Sequence, residues 1–347
     1  MKKARPVEFK IWGIVIGLLL VLTSRFAFVE NLYPFDHIDA RYFDQIARNI
    51  LDEGIFSGNA EAPFCQESVR TPTYPYFLAA IYRLFGHKPA AVFIIQAMLD
   101  LLVAAVVFHL TYSFVPQKRF LAGMLALICY AFSLSQSRFT SEVLSEGLLT
   151  PLLALSVYFL WRALRSAHHR DAILAAVFLG LSVLCKPNVQ FVPLAFGLAL
   201  LMASHLPVKK RLYMTLVFIL GVTVVLAPWL IRNYRAFDGV FLSHTFQDNL
   251  ARVSAVSTLA EVGDEDILPW SDRWEELYGT LVTRAAVQYQ WSGSMDPSCQ
   301  ERQQQHADVA TVAVDVIGQH PVEFMIAHIC QYRHEMSPIH RDKMSPD

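Results

Sequence analysis

The sequence predicts an all-α protein that crosses a membrane several times, and three observations carry this prediction. Hydrophobic residues make up 54% of the 347 residues and charged residues only 17%, whereas a soluble domain usually carries more charge. Apolar runs of about twenty residues, the length of a membrane helix, recur through the first two-thirds of the chain. Basic residues cluster in every second loop between these runs. A nucleic-acid binder is not indicated, because no basic patch is interleaved with aromatic residues.

The first apolar run, residues 11–29, follows four basic residues, Lys2, Lys3, Arg5 and Lys10. A cleaved signal peptide is the alternative interpretation of this pattern. The run is long for the hydrophobic region of a signal peptide, and no A-x-A-like cleavage site follows it. We therefore predict a retained first span.

Seven spans are predicted in all, at residues 11–29, 90–113, 119–136, 144–161, 171–186, 188–204 and 212–231. The segment 74–86 is also apolar, but its 13 residues are too few for a span, so we interpret it as an interfacial or re-entrant helix. The fifth and sixth spans are separated only by the segment from Cys185 to Asn188, where Pro187 can end a helix.

Loop charge orients these spans. The amino-terminal segment and the loops after the second, fourth and sixth spans are basic; the three loops contain Lys118, Arg119, Arg162, Arg165, Arg170, Lys209, Lys210 and Arg211. One orientation places all four clusters in the cytoplasm, as the positive-inside rule requires. The amino terminus is then inside, and we expect a bacterial inner membrane whose active face is periplasmic or extracellular.

Two regions of opposite charge are predicted. Residues 1–231 contain 20 Lys and Arg against 13 Asp and Glu, whereas residues 232–347 contain 9 against 17. The first region is expected to be the transmembrane domain, with an outer loop at 30–89. The second is expected to be an acidic outer segment of mixed helical and irregular structure.

The first outer loop contains candidate catalytic carboxylates. From Ala40 onward the spacing of apolar residues predicts an amphipathic helix with Asp39 as its N-cap. Capping alone is one interpretation of Asp39. The other is that Asp36, His37 and Asp39 form an acidic cluster in which a carboxylate acts as a general base. The same three residues are also candidates for a divalent metal site.

Further charged residues are predicted at the outer boundary. Glu142 and Glu146 are spaced i, i+4 at the start of the fourth span and are predicted to share a helix face, where they either face water or line a polar cavity as acceptor or metal candidates. Arg70, Lys186 and Arg232 are cations suited to a lipid phosphate.

Three polar or aromatic side chains accompany those cations. Tyr74, Trp229 and Asn233 are predicted to contact substrate, and an aromatic membrane belt is the alternative for Tyr74 and Trp229. The cysteines fit no metal spacing. A disulfide between Cys65 and Cys299 is permitted on the outer face, with Cys330 as a competing partner.

Five motifs resemble those of the glycosyltransferase C superfamily, in the branch of protein O-mannosyltransferases and lipid A aminoarabinose transferases. The matching segments, in the family's order, are DARYFDQIARNIL from Asp39, RTPTYPYFLA from Arg70, GLSVLCKP ending at Pro187, PWLIRNYRAF from Pro228 and HPVEF from His320. The resemblance covers roughly residues 10–335. A second acidic residue often follows the family's loop aspartate, whereas this chain has Ala40 there.

The resemblance implies an inverting glycosyltransferase whose donor is a polyprenyl- or dolichyl-phosphate sugar and whose acceptor is a lipid, glycan or protein. It assigns base or acceptor activation to Asp39 and donor-phosphate contact to Arg70. The same phosphate role for Lys186 and Arg232 is inferred from their charge and position. Because family members continue with further spans after the HPVEF element, the resemblance also leads us to expect a truncated chain.

Two other functions compete with this interpretation. A multi-pass transporter or flippase would also carry charges at the membrane edge, although transporters commonly show internal repeats and charges near the midplane. A non-catalytic membrane protein is the third possibility, and truncation would favour it. Charges confined to one outer cavity favour the transferase, whereas a site at the midplane favours transport.

Overall fold

The structure is a computed structural model that describes residues 6–27, 38–263, 265, 271–291 and 298–336. Every regular element within these residues is helical, which confirms the predicted all-α class for the described part of the chain. The chain divides into two compact units, residues 1–242 and 243–347.

Within the described residues, the first unit contains ten α-helices and one 3-10 turn, Pro187–Val189. In chain order the α-helices are α1 (Pro6–Phe26), α2 (Ile38–Asp52), α3 (Thr73–Phe85), α4 (Pro89–Phe114), α5 (Arg119–Ala131), α6 (Leu134–Ser141), α7 (Glu146–Ser166), α8 (His169–Val183), α9 (Val192–Leu201) and α10 (Val208–Phe237). A helix overlaps each of the seven predicted spans, and α3 coincides with the predicted 13-residue helix.

Fewer helices meet the requirements of a membrane span than the sequence predicted. Within the described residues, α4, α7 and α10 are long and apolar enough to cross a bilayer. The α5–α6 pair, bent by 58°, and a bent pair in the second unit would raise the number to five. Several membrane-capable helices are thus present, while the seven-span arrangement stays a prediction.

Close helix packing places α8 between α7 and α10. Small residues make this possible, because a Cβ on Gly180 would lie 2.8 Å from Val225 and one on Gly221 would lie 2.8 Å from Ala176. Small residues at helix contacts are typical of membrane bundles, in which packing rather than water exclusion holds helices together. The arrangement fixes the α8–α9 connection, which carries Lys186, relative to the end of α10.

A buried ion pair joins α1, α4 and α6. Nε of Arg25 lies 2.6 Å from Oδ2 of Asp100, and both side chains are almost fully buried. The Arg25 guanidinium also donates to Ser137 on α6, and Gln136 donates to the other oxygen of Asp100. Removing one partner of such a pair would leave an uncompensated buried charge. The pair therefore fixes the bent α5–α6 segment against the first helix.

Two local predictions are corrected. Helix α2 begins at Ile38, so Asp39 lies within its first turn and is not the N-cap; a carboxylate there still favours the helix dipole. Glu142 and Glu146 do not share a helix face, because α6 ends at Ser141 and α7 begins at Glu146. The break is held by Gln96, whose amide donates to the carbonyls of Thr140 and Glu142.

In the second unit, the described residues form five α-helices and one π-helical turn. The α-helices are α11 (Thr245–Asn249), α12 (Val256–Val262), α13 (Asp272–Gln288), α14 (Cys299–Gln319) and α15 (Pro321–Met336), and the turn is Leu250–Ala255. Its core contains Trp274, Leu281 and Ala313. On α15, by contrast, Val322 and Met325 remain largely exposed.

The cysteines fall into two redox classes. Cys65 and Cys299 are each disulfide-bonded, whereas Cys129 and Cys185 are free thiols. The pairing of Cys65 with Cys299 stays a prediction, and the side chain of the competing Cys330 lies outside the described residues.

Candidate functional site

Asp39 and Arg70 form an ion pair at the start of α2. Nη2 of Arg70 donates to Oδ1 of Asp39 over 2.5 Å. The Asp39 side chain is about half exposed and the Arg70 side chain is mostly buried. Within the described chain, Oδ2 of Asp39 accepts no hydrogen bond. The predicted base and the predicted phosphate ligand are therefore neighbours, with one carboxylate oxygen still available to a substrate.

The Arg70 guanidinium has an unsatisfied buried donor. Its Nε is buried and has no hydrogen-bond acceptor among the described residues. The rings of Tyr42 and Phe43 both lie 5.7 Å from its central carbon. A buried donor without an acceptor costs about 1–3 kcal/mol, and a phosphate oxygen is a good acceptor for a guanidinium. This edge of Arg70 is thus suited to an anionic ligand.

Glu67 organises the segment that carries Arg70. Its Oε1 accepts from the backbone N–H groups of Val69 at 2.5 Å and of Arg70 at 3.1 Å. Its Oε2 accepts from the Tyr42 hydroxyl on α2. Glu67 is buried, so these bonds hold the Arg70 backbone against α2. The sequence analysis did not identify Glu67; the available signal was a carboxylate three residues before the R-x-P element.

Arg232, near the end of α10, contacts the same segment. Its Nη1 donates to the backbone carbonyl of Glu67 over 2.7 Å and to Oδ1 of Asn233 over 2.9 Å. The guanidinium stacks over the ring of Trp229, 4.7 Å from its centroid. Glu67 thus links Arg70, through its side chain, with Arg232, through its carbonyl.

Lys186 pairs with Glu146 at the first turn of α7. The segment before Lys186 is bonded directly to the segment after Arg70: the Thr71 hydroxyl donates to the carbonyl of Cys185 over 3.2 Å, and the Thr73 N–H donates to the carbonyl of Leu184 over 3.0 Å. These bonds bring Lys186 alongside the Arg70 segment. We call Asp39, Glu67, Arg70, Lys186 and Arg232 the boundary cluster.

Glu142 has a different partner from Glu146. Its Oε1 accepts from Nε of Arg138 over 2.7 Å, and its buried Oε2 has no hydrogen-bond partner among the described residues. The two predicted glutamates are therefore not a pair, because Glu146 is bonded to Lys186 and Glu142 to Arg138.

The three predicted substrate contacts have buried side chains. The Tyr74 hydroxyl donates to Oε1 of Gln96, the Trp229 indole donates to the carbonyl of Leu242, and the Asn233 amide donates to the carbonyl of Phe241. All three side chains are less than one-tenth exposed. The structure gives each a packing role, and substrate contact by any of them stays a prediction.

The predicted metal site is only partly visible. Asp36 and His37 lie outside the described residues, and only Asp39 of that trio is placed. Within the described part of the chain, no group of three His, Cys, Asp or Glu residues is arranged to hold a metal ion.

The segment from Glu67 to Thr71 is hydrogen-bonded to the parts of the chain that carry the other two cations of the boundary cluster. Arg70 and Lys186 are each matched by a carboxylate, whereas the hydrogen bonds of Arg232 within the described residues go to neutral oxygens, and its guanidinium stacks on aromatic rings. Because charge-assisted bonds to phosphate are strong in partly buried surroundings, each of these cations is suited to a phosphate, and the binding of one phosphate by all three stays a prediction.

Comparison with known proteins agrees with the motifs. Residues 69–231 match the sequence model of a family described as dolichyl-phosphate-mannose-protein mannosyltransferase. The matched range contains Arg70 and Lys186, begins after Asp39 and Glu67, and ends one residue before Arg232. No match to a curated protein was found.

Proposed function

We propose that this chain, whose residues 69–231 match the dolichyl-phosphate-mannose-protein mannosyltransferase family, transfers a sugar from a polyprenyl-phosphate carrier to an acceptor at the boundary cluster. The family match and the membrane-capable helices support a membrane glycosyltransferase of the mannosyltransferase type. The carrier, the inverting mechanism and the residue roles are the proposal.

The proposed topology has seven spans with the amino terminus in the cytoplasm. Helices overlap all seven apolar runs, and the basic clusters occupy alternate loops. The boundary cluster then lies on the outer face, at the periplasmic or extracellular side of a bacterial inner membrane. A lipid-linked sugar in the outer leaflet would present its phosphate at this depth.

The proposed reaction is a single displacement at the anomeric carbon. Asp39 accepts the proton of an acceptor hydroxyl or amine while that atom forms a bond to the anomeric carbon. The bond from this carbon to the carrier phosphate breaks, and its electron pair leaves with the phosphate. Attack opposite the leaving group inverts the anomeric configuration. A positioned general base typically contributes about 10²–10⁴-fold in rate.

The cations of the boundary cluster would stabilise the departing phosphate. Charge on the phosphate oxygens increases as the glycosidic bond breaks, and fixed cations stabilise that charge without reorganising. The proposal depends mainly on the contacts of Arg70. Its Nη2 donates to the candidate base, and its buried Nε–H has no acceptor among the described residues. One side chain would thus contact both the base and the leaving group.

The proposal is tested by transfer from radiolabelled polyprenyl-phosphate mannose in proteoliposomes, with release of polyprenyl phosphate as the readout. We expect release that depends on an added acceptor fraction and that is lost in Arg70→Ala. The matched control is Arg41→Ala, which removes an exposed cation from the same outer loop. Equal release by Arg70→Ala and Arg41→Ala would contradict the assignment. Movement of intact donor across the bilayer without release would favour a flippase.

A further inference from the structure

A groove lies at the opposite end of the bundle from the boundary cluster. Helix α7 begins at Glu146, beside Lys186, and its 21 residues carry it about 30 Å to its end at Ser166. The groove opens there, between the carboxyl-terminal parts of α4 and α7 and the connection from α9 to α10. Its volume is about 730 Å³. Because of this separation along α7, the groove cannot be part of the boundary cluster.

The lining of the groove is apolar along the bundle and polar near the helix ends. Val157, Trp161 and Leu164 of α7 and Phe114 of α4 supply apolar surface, and Val157 and Phe114 are exposed. One turn beyond Trp161, the Arg165 guanidinium stacks over its indole ring, 5.1 Å from the centroid. An amphipathic ligand with an apolar chain and a charged head would match this order of side chains.

The positive charge of the loops around the groove favours a ligand whose head group is negative. Residues 115–119, 162–171 and 202–211 contain eight lysines and arginines and one acidic residue, Asp171. Asp171 is already paired with Arg162, 3.2 Å from its Nε. In the part of the chain that the structure describes, no carboxylate lies within ion-pair distance of Arg165. The other polar side chain of the lining, His205, is held by a 2.6 Å contact from Nε2 to the carbonyl of Leu164.

We propose that this groove is a binding site for an anionic glycerophospholipid of the leaflet that faces the end of α7. One acyl chain lies along Val157 and Trp161, and the lipid phosphate binds Arg165. A basic residue close to the lipid head group contributes about 1 kcal/mol to the attraction of an anionic lipid, and the contribution falls off with distance. The site is independent of sugar transfer, since none of its lining residues belongs to the boundary cluster.

The test measures lipids bound to the purified full chain by native mass spectrometry, with phosphatidylglycerol and phosphatidylcholine of the same acyl chains. We expect phosphatidylglycerol to be retained preferentially, and Arg165→Gln to lower its affinity about fivefold, the factor that corresponds to about 1 kcal/mol. Val157→Trp fills the exposed part of the groove without changing charge and should also reduce binding. The control Arg170→Gln removes an exposed cation outside the groove and should change affinity less than twofold.

Four results would overturn the proposal. Equal retention of the two lipids would show that charge does not select the occupant. Equal losses in Arg165→Gln and Arg170→Gln would indicate a diffuse surface potential. Displacement of the lipid by millimolar glycerol phosphate would mean that the acyl chain contributes nothing. A dimer whose formation, rather than lipid binding, is lost in Val157→Trp would assign the groove to a second copy of the chain.

Discussion

At the scale of single residues, the boundary cluster depends on the buried side chain of Glu67. Glu67 accepts two backbone N–H groups and the Tyr42 hydroxyl, and its carbonyl accepts from Arg232. Hydrogen bonds to a charged acceptor contribute about 1.5–3 kcal/mol each. The position of Arg70 is therefore set by Glu67 rather than by the ion pair with Asp39 alone.

We expect Glu67→Ala to lower the free energy of unfolding by about 3 kcal/mol, because three hydrogen bonds to a buried carboxylate are lost while the cost of burying its charge is removed as well. Glu61→Ala, which removes an exposed carboxylate from the same loop, should change it by less than about 0.5 kcal/mol. Denaturant titration of the purified protein in detergent measures both. Equal stability of the two variants would show that the Glu67 side chain does not stabilise the fold.

The sequence identified most of the charged residues of the cluster but not their connections. Asp39, Arg70, Lys186 and Arg232 stood out because they are charges beside apolar runs or within motifs. Glu67 did not, because a carboxylate in a polar loop has no periodicity that distinguishes it. Its role depends on contacts with Tyr42 and Arg232, and the latter lies 165 positions away along the chain.

At the scale of elements, apolar runs predicted where helices lie better than where they end. The break between α6 and α7 depends on Gln96 of α4, which binds the carbonyls of Thr140 and Glu142. Such a tertiary contact cannot be inferred from the local sequence of the break. Helix α14 is the opposite case, because Ser298 and Glu301 form a capping box that local sequence specifies.

The capping box gives a pH-dependent prediction. The Ser298 backbone N–H, followed by its hydroxyl, lowers the pKa of Glu301 below its ordinary value. A lowered carboxyl pKa means that the stabilising bond is present above the ordinary pKa of Glu and is lost as pH falls through the lowered value. Amides in the first turn of α14 should therefore lose protection from hydrogen exchange in acid, after correction for intrinsic rates.

Ser298→Ala provides the matching variant. It should reduce the same protection at neutral pH by about 1 kcal/mol, the usual contribution of an N-cap side chain. Amides in the middle of α13 should be unaffected by this variant, since Ser271 caps that helix. Unchanged protection at the start of α14 in Ser298→Ala would show that packing, rather than capping, fixes this helix end.

At the scale of the whole molecule, the orientation of the spans decides whether the boundary cluster can meet an outer-leaflet donor. Alternating loop charge predicts that residues 30–89 are outside and residues 162–170 inside. Ser57, in the outer loop, is fully buried, so exposed neighbours are better probes. Ala60 in the outer loop and Ser166 at the end of α7 are both exposed.

An impermeant thiol reagent added to intact cells should label Ala60→Cys and should not label Ser166→Cys. After permeabilisation, both variants should be labelled, and the parent protein provides the background from its own thiols. Labelling of Ser166→Cys alone in intact cells would show that the chain has the opposite orientation. The boundary cluster would then face the cytoplasm.

The central claim is that the carboxylate of Asp39 removes the acceptor proton, and the most direct measurement is the transfer rate of Asp39→Asn. Asparagine is nearly isosteric and is tolerated in the first turn of a helix, so α2 should fold normally. Arg70 remains in place, so binding of polyprenyl phosphate should be retained while the rate falls about 10²–10⁴-fold. Asp52→Asn, an exposed change at the other end of α2, should retain the full rate. A well-folded Asp39→Asn protein that transfers sugar at the parent rate would contradict the account.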